Sequence, residues 1–440
     1  MSSRTNQLIV ILAVVVVVAT LAILLIRDYN LQQPNSKLPT ASKATAEEIG
    51  FRGSADPIPA GWTGPVFALS SDYPKTIPQE TYPWETIDFK TEPEKYITTV
   101  MDYIEEGNVE VDWRIQDNKV RKWYHVPWQA YDPLTGREFI HGLTQERTSA
   151  PLDLAPEQTN PQMSYAVGFY NPIGGYTLGQ VWNDHSQPSV PPSGITFNHG
   201  TVVGKILLSA APLDQVPYLK GSYEWQANIH HSANCKTGND PQSPDCVREI
   251  QTLRMIQFDV MVWDKRACET TCWVFGNFVY DGNLPGETPW DKLKPIGVAW
   301  GNDPEALPGS GKPLQETVIF PQAAALNEHL GCEYQHGPTP VAPDPQSRLN
   351  GPLDNPKSGC ISCHSTAETP TLGTDSNGNP TTWTLVNVVP KGLCSDPEVN
   401  QQYFRNIVAG QPFSDAGTSL DYSLQLAISI QGYNNWKMKQ

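Results

Sequence analysis

Along most of this chain the apolar positions recur with the period of a strand, and only in places with that of a helix. In Leu253–Trp263, Ile256, Phe258, Val260 and Val262 share one face while Gln257 and Asp259 take the other, as a half-buried strand requires. Thr201–Ser209 is a short, mostly apolar, β-branched run, and Trp273–Tyr280 is apolar and aromatic on both faces. Leu420, Tyr422, Leu424, Leu426, Ile428 and Ile430 alternate strictly, which favours a strand and leaves a buried helix open. Two helices are marked. One takes Thr91 as cap, Pro93 in its first turn and Tyr96, Ile97, Val100, Met101 and Ile104 at helical spacing, and Gly107-Asn108 ends it. The other begins at Ser395, with Pro397 early and Val399, Tyr403, Phe404 and Ile407 on one face, and closes at Gly410. Pro304–Lys357 is rich in Pro, Gly and Asn and reads as irregular chain. The expected class is α+β, predominantly β, with few helices.

The first residues change that picture. Leu8–Ile26 is apolar except for Thr20, and nineteen helical residues reach roughly 28 Å, close to the hydrocarbon core of a bilayer. The run is longer than a signal-peptide core and ends in Leu24-Leu25-Ile26-Arg27-Asp28, a poor cleavage site. Residues 1–28 are therefore expected to be an uncleaved transmembrane anchor and 29–60 a Pro/Ser/Thr-rich flexible linker. Residues 61–190 form the N-terminal part of a globular unit, and 191–440 the part that carries the chemistry.

Forty prolines and 33 glycines agree with a loop-rich fold, and 17 tyrosines with 13 tryptophans suit a β-rich core. A formal net charge of −16 repels phosphate backbones, which excludes nucleic acid as an expected partner. Solubility is the plain reading of that charge; a docking face for a basic redox partner is the other.

The chemistry sits in Ser358-Gly359-Cys360-Ile361-Ser362-Cys363-His364, which contains C-x-x-C-H, the haem attachment pattern. Two thiols at that spacing add to two vinyl groups of one macrocycle, and the adjacent histidine donates a nitrogen to the iron. With 8 Cys and 9 His in the chain, a chance occurrence is expected roughly 0.003 times. Cys360 and Cys363 are thus the expected attachment points of one covalent haem c, with His364 as metal ligand. Covalent haem attachment takes place outside the cytoplasm, so the globular part is placed on the periplasmic side of the membrane. Cys235, Cys246, Cys268, Cys272, Cys332 and Cys394 remain, an even number that suggests disulfides there. Of the 15 possible pairings, proximity favours Cys235–Cys246, Cys268–Cys272 and Cys332–Cys394. The rival is a zinc-binding structural domain, with Cys332, His336, Cys360 and Cys363 as a Cys₃His set; it leaves His364 without a role.

A second axial ligand is not evident. Met438 is the only methionine after the motif and stands two residues from the end, and His125, His199, His230 and His231 are upstream. A five-coordinate or weakly ligated iron follows as an expectation.

Three segments resemble the cytochrome P-460 and cytochrome c′-β family over about residues 195 to 370. Phe197–Lys205 is similar to that family's F-P-x-G-T-x-x-x-K strand. Asp259–Lys265 with Cys272–Gly276 is similar to its x-V-K-D-K loop and W-x-[YF] strand. Cys360–His364 is similar to its late haem motif. The resemblance implies a β-rich haem domain, His364 as proximal ligand, and a distal site for small nitrogen compounds such as hydroxylamine or NO. It also puts Lys205 where the P-460 proteins carry a lysine cross-linked to the haem; the other reading of Lys205 is a solvated lysine at a strand end. The chain departs from the family in its length, in Cys268 and Cys272, and in the long stretches on either side. Two functions are expected from these residues: electron transfer with a redox partner protein, or haem oxidoreductase or gas-binding chemistry on a small ligand.

Overall fold

The computed structural model describes residues 70–129, 131–132, 136–137, 143–184, 187–230, 248–321, 348–369, 373–374, 380–381 and 389–437. The residues of the expected anchor and linker lie outside that set. Among the described residues no helix is long and apolar enough to cross a membrane.

An eight-stranded antiparallel sheet dominates: β1 (Thr144–Gln145), β2 (Ser164–Tyr170), β3 (Val202–Ser209), β4 (Glu224–His230), β5 (Arg248–Trp263), β6 (Trp273–Tyr280), β7 (Leu293–Ala299) and β8 (Thr317–Ile319). Their order is β8-β7-β6-β5-β3-β2-β1, and β4 pairs with the first half of β5. The described part is thus β-rich with few helices, as the alternation predicted. Strands on either side of residue 190 share the sheet. The stretch after Pro304 also supplies an edge strand, β8, where irregular chain was expected.

Each face of the sheet buries a core. On one, Phe169, Ile206, Phe258, Val260 and Phe278 pack against α1 (Pro93–Glu105), whose Tyr96, Ile97, Val100, Met101 and Ile104 are all buried. The cap differs from expectation: Glu92, not Thr91, occupies the N-cap, and no side chain caps it. Pro93 at N1 removes one of the four amides that a helix start leaves unpaired. Ile97 of the helix sits directly over Gly276, where a β-carbon would lie 2.1 Å from its Cγ1. Gly276→Ala should therefore overpack this face and cost about 1–3 kcal/mol. Urea unfolding checks it: the midpoint falls with an unchanged slope, and an unmoved midpoint would show that the helix can give way.

On the other face, Tyr170, Val203, Met261, Phe275 and Ala299 pack against α2 (Pro172–Val181), α3 (Cys360–His364) and α5 (Leu424–Lys437). Here the alternation misled. Residues 424–437 form a helix whose buried positions Leu426, Ala427, Ile430 and Tyr433 recur every three or four residues. The even-numbered run coincides with that stripe only at Leu426 and Ile430. The short helix α4 (Pro397–Tyr403) starts two residues later than expected, because Asp396 caps it through the amides of Glu398 and Val399.

Candidate haem-attachment site

Gly359 is extended (φ −113°), and the chain then makes the single helical turn of α3. Residues i, i+3 and i+4 share a helix face, so Cys360, Cys363 and His364 point the same way. All three retain accessible surface, whereas Ile361, Ser362 and Ser365 on the opposite side are buried. That buried side is anchored. Ser362 Oγ donates to Asn302 Oδ1 (2.7 Å), and Arg348 donates to the carbonyls of Asn302 and Asp303 (2.9 Å each) and of Ala306 (3.1 Å). The Arg348 guanidinium stacks 3.8 Å from the Phe404 ring, and burial pushes its pKa down to about 10 against the pull of Asp303 and Glu316. Cys360 N donates to Leu349 O (2.9 Å).

The imidazole of His364 is oriented by a backbone group. Its Nδ1 lies 2.9 Å from Tyr422 O. A carbonyl can only accept, so Nδ1 carries the proton and Nε2 keeps its lone pair. The Phe275 ring meets the imidazole edge-on at 5.2 Å. Burial pushes the His364 pKa down to about 4, with Lys205 acting in the same sense and the Tyr422 carbonyl opposing. The side chain is therefore neutral, the form that ligates iron, across the physiological range. Burial, and then Asp354, push the Cys363 thiol up to about 12, and Cys360 also rises. Neither cysteine is in a disulfide.

Tyr422 is placed by an unusual piece of chain. Asp421 (φ +48°) and Tyr422 (φ +66°) are consecutive left-handed residues, neither of them glycine. The two-stranded ladder of β9 (Glu368–Thr369) and β10 (Thr418–Ser419) leads into them from the end of α3. Asp421 is 1% exposed; its carboxylate accepts from Trp273 Nε1 (3.1 Å) and Phe197 N (2.5 Å).

Beside the cysteines a polar row crosses the apolar sheet face. Gly168, Lys205, Asp259, Asn277 and Gly297 are register partners on five adjacent strands. Asp259 Oδ1 accepts from Asn277 Nδ2 (2.5 Å) and Gln257 Nε2 (2.7 Å), and the same amide reaches Asp354 Oδ2 (2.8 Å). Gly351 makes this possible, since a β-carbon there would lie 2.3 Å from the Gln257 side chain. Glu146 Oε1 is 3.4 Å from Lys205 Nζ. One cation thus faces three carboxylates. Burial works to lower Lys205, but Glu146, Asp259 and Asp354 outweigh it and hold the ammonium above the ordinary lysine range. Burial raises Asp259 and Asp354; Lys205 pulls both down without prevailing.

Lys205 therefore lies mid-strand, 24% exposed and ringed by carboxylates, rather than solvated at a strand end. Cys268–Cys272 is a disulfide. Cys394 is disulfide-bonded as well. Cys235, Cys246, Cys332 and His336 lie outside the described residues, as do Met438, His231 and the His230 side chain. His125 is buried with Nδ1 2.7 Å from Val126 O, and His199 sits between Glu85 (3.3 Å) and the Lys265 amide (3.3 Å), so both are engaged elsewhere. Among the described residues no cluster of three or more His, Cys, Asp and Glu forms a metal site. The sequence did not mark Tyr422, Asp421, Asp354 or Glu146 as site residues; Gln257 showed only as part of a strand's polar face, and Asp421 only as an acid between Leu420 and Tyr422.

No family model, curated protein or solved structure matches this chain.

Proposed function

We propose that the chain is a mono-haem c-type cytochrome, anchored in the membrane by residues 8–26 with its globular part outside the cytoplasm, and that it works in electron transfer. One observation carries this reading: Cys360, Cys363 and His364 share the accessible face of one helical turn, with Nδ1 of the histidine committed to a carbonyl and Nε2 available. That donor set fits haem c in number, spacing and protonation state. Cys360 and Cys363 would each add S–H across a vinyl group, forming an Sγ–C bond and giving the proton to the neighbouring carbon. His364 would supply Nε2, and the Tyr422 carbonyl would fix its tautomer and raise its basicity. The haem itself would supply a one-electron redox centre.

A second reading, haem chemistry on a small nitrogen compound, is favoured by the Lys205–Glu146–Asp259–Asp354 group. Buried ionisable clusters beside a redox centre can hold and release protons. Within this reading Lys205 acts as a charge rather than as a cross-link.

Absorption spectra of the full-length protein in detergent, taken oxidised, reduced, and reduced with carbon monoxide, separate the readings. Sharp reduced bands that ignore carbon monoxide are expected of the electron carrier. A high-spin spectrum shifted by carbon monoxide would favour the small-ligand reading. A colourless protein would sink both and bring zinc forward.

A further inference from the structure

We propose that Asp421 is a positioning residue for the proximal imidazole: its buried carboxylate holds the left-handed Asp421–Tyr422 pair that presents the Tyr422 carbonyl to His364 Nδ1. The inference rests on the haem reading above and deepens it.

Two consecutive non-glycine residues at positive φ are costly, about 1–2 kcal/mol each, and persist only where surrounding contacts over-determine them. Here the contacts come from both sides. The Asp421 carboxylate is gripped by the Trp273 indole, on the same strand as Phe275, and by the Phe197 amide. At the other residue, Tyr422 Oη donates to Ile407 O (2.6 Å), and the Tyr422 ring packs 6.3 Å from Phe275 and 6.4 Å from Trp273. An imidazole Nδ1–H given to a fixed acceptor gains imidazolate character and stabilises the higher charge on its metal. Asp421 thus acts on the iron through one backbone carbonyl, without touching the haem or the histidine.

The test compares Asp421→Ala, Asp421→Gly and Asp421→Asn in the full-length, haem-loaded protein. Glycine tolerates positive φ but has no anchor; asparagine tolerates it and can still accept from Trp273. The readouts are the reduction potential and, in high-spin ferrous protein, the iron–histidine stretching band. Losing the oriented hydrogen bond should shift the ferric-to-ferrous ratio at fixed potential by about fivefold toward ferrous. Asp421→Gly should show that shift, with a lowered stretching frequency where the ferrous iron is high-spin, and Asp421→Asn should recover most of it. If Asp421→Ala does not fold, the glycine and asparagine variants decide. Wild-type potential and band in Asp421→Gly would overturn the proposal while leaving the haem reading intact. A wild-type protein without covalent haem would overturn both.

Discussion

In the proposed cytochrome, replacing His364 with alanine is expected to leave the haem on the chain and take away its protein ligand. Attachment depends on Cys360 and Cys363, which keep their positions on the helical turn through the Ser362–Asn302 and Arg348 anchors behind it. Ligation depends on Nε2. The visible spectrum should therefore lose its histidine-ligated form almost completely, while denatured protein still shows covalent haem at wild-type stoichiometry. The space left beside Phe275 should admit free imidazole, with rescue at about millimolar concentration, the affinity of a ligand held by one bond and little else. An unchanged native spectrum would show that some other group ligates the iron. Loss of covalent haem would mean that the histidine is needed for attachment as well.

Removing the cation from the polar row should have the largest effect on stability. Lys205→Met keeps much of the side-chain volume and leaves Glu146, Asp259 and Asp354 facing one another. Breaking a buried ion pair by removing one partner costs about 3–5 kcal/mol. The 24% exposure of Lys205 puts the expectation at the lower end of that range. The pH dependence has a definite sign. Asp259 and Asp354 bind protons more readily in the folded than in the unfolded chain, so their contribution is full at low pH and lost as pH rises through their raised values. Without Lys205 both rise further. The deficit of the variant should be small near pH 4 and large near pH 8. Urea unfolding at the two pH values measures it, and an equal deficit at both would mean that the lysine acts by packing alone.

Some elements were legible because their period is unambiguous. Helix α1 needs only the spacing of Tyr96, Ile97, Val100, Met101 and Ile104, and β5 only the alternation from Ile256 to Val262. The run from Leu420 to Ile430 failed because two periods overlap there. Its first residues leave the β10 ladder and make the left-handed turn, and Ala427 and Tyr433, outside the alternating set, complete the helical stripe. The C-x-x-C-H turn could be read in full from spacing. Its partner could not, since the group that orients His364 is a backbone carbonyl 58 residues downstream, and a carbonyl leaves no trace in residue type. The polar row had half a signal. Asp259 stood with Gln257 on the face that the alternation left polar, but Glu146 and Asp354 reach Lys205 only through strand order and the turn at Gly351, which no local pattern encodes.

That row also bears on how the strands find one another. Side chains alternate between faces, so a slip of one residue in β3, β5 or β6 would drive Lys205, Asp259 or Asn277 into the core beneath α1. A lone charge among Phe169, Phe258 and Phe278 has nothing to pair with and costs several kcal/mol. A slip of two would keep the face but separate lysine from carboxylate. Apolar residues of like size side by side, such as Val202, Val262 and Val274, discriminate poorly between such neighbours. Lysine, aspartate and asparagine in line act as a key that only one alignment turns, so the charges that crowd the candidate haem site also exclude the misaligned sheets a folding chain would otherwise sample.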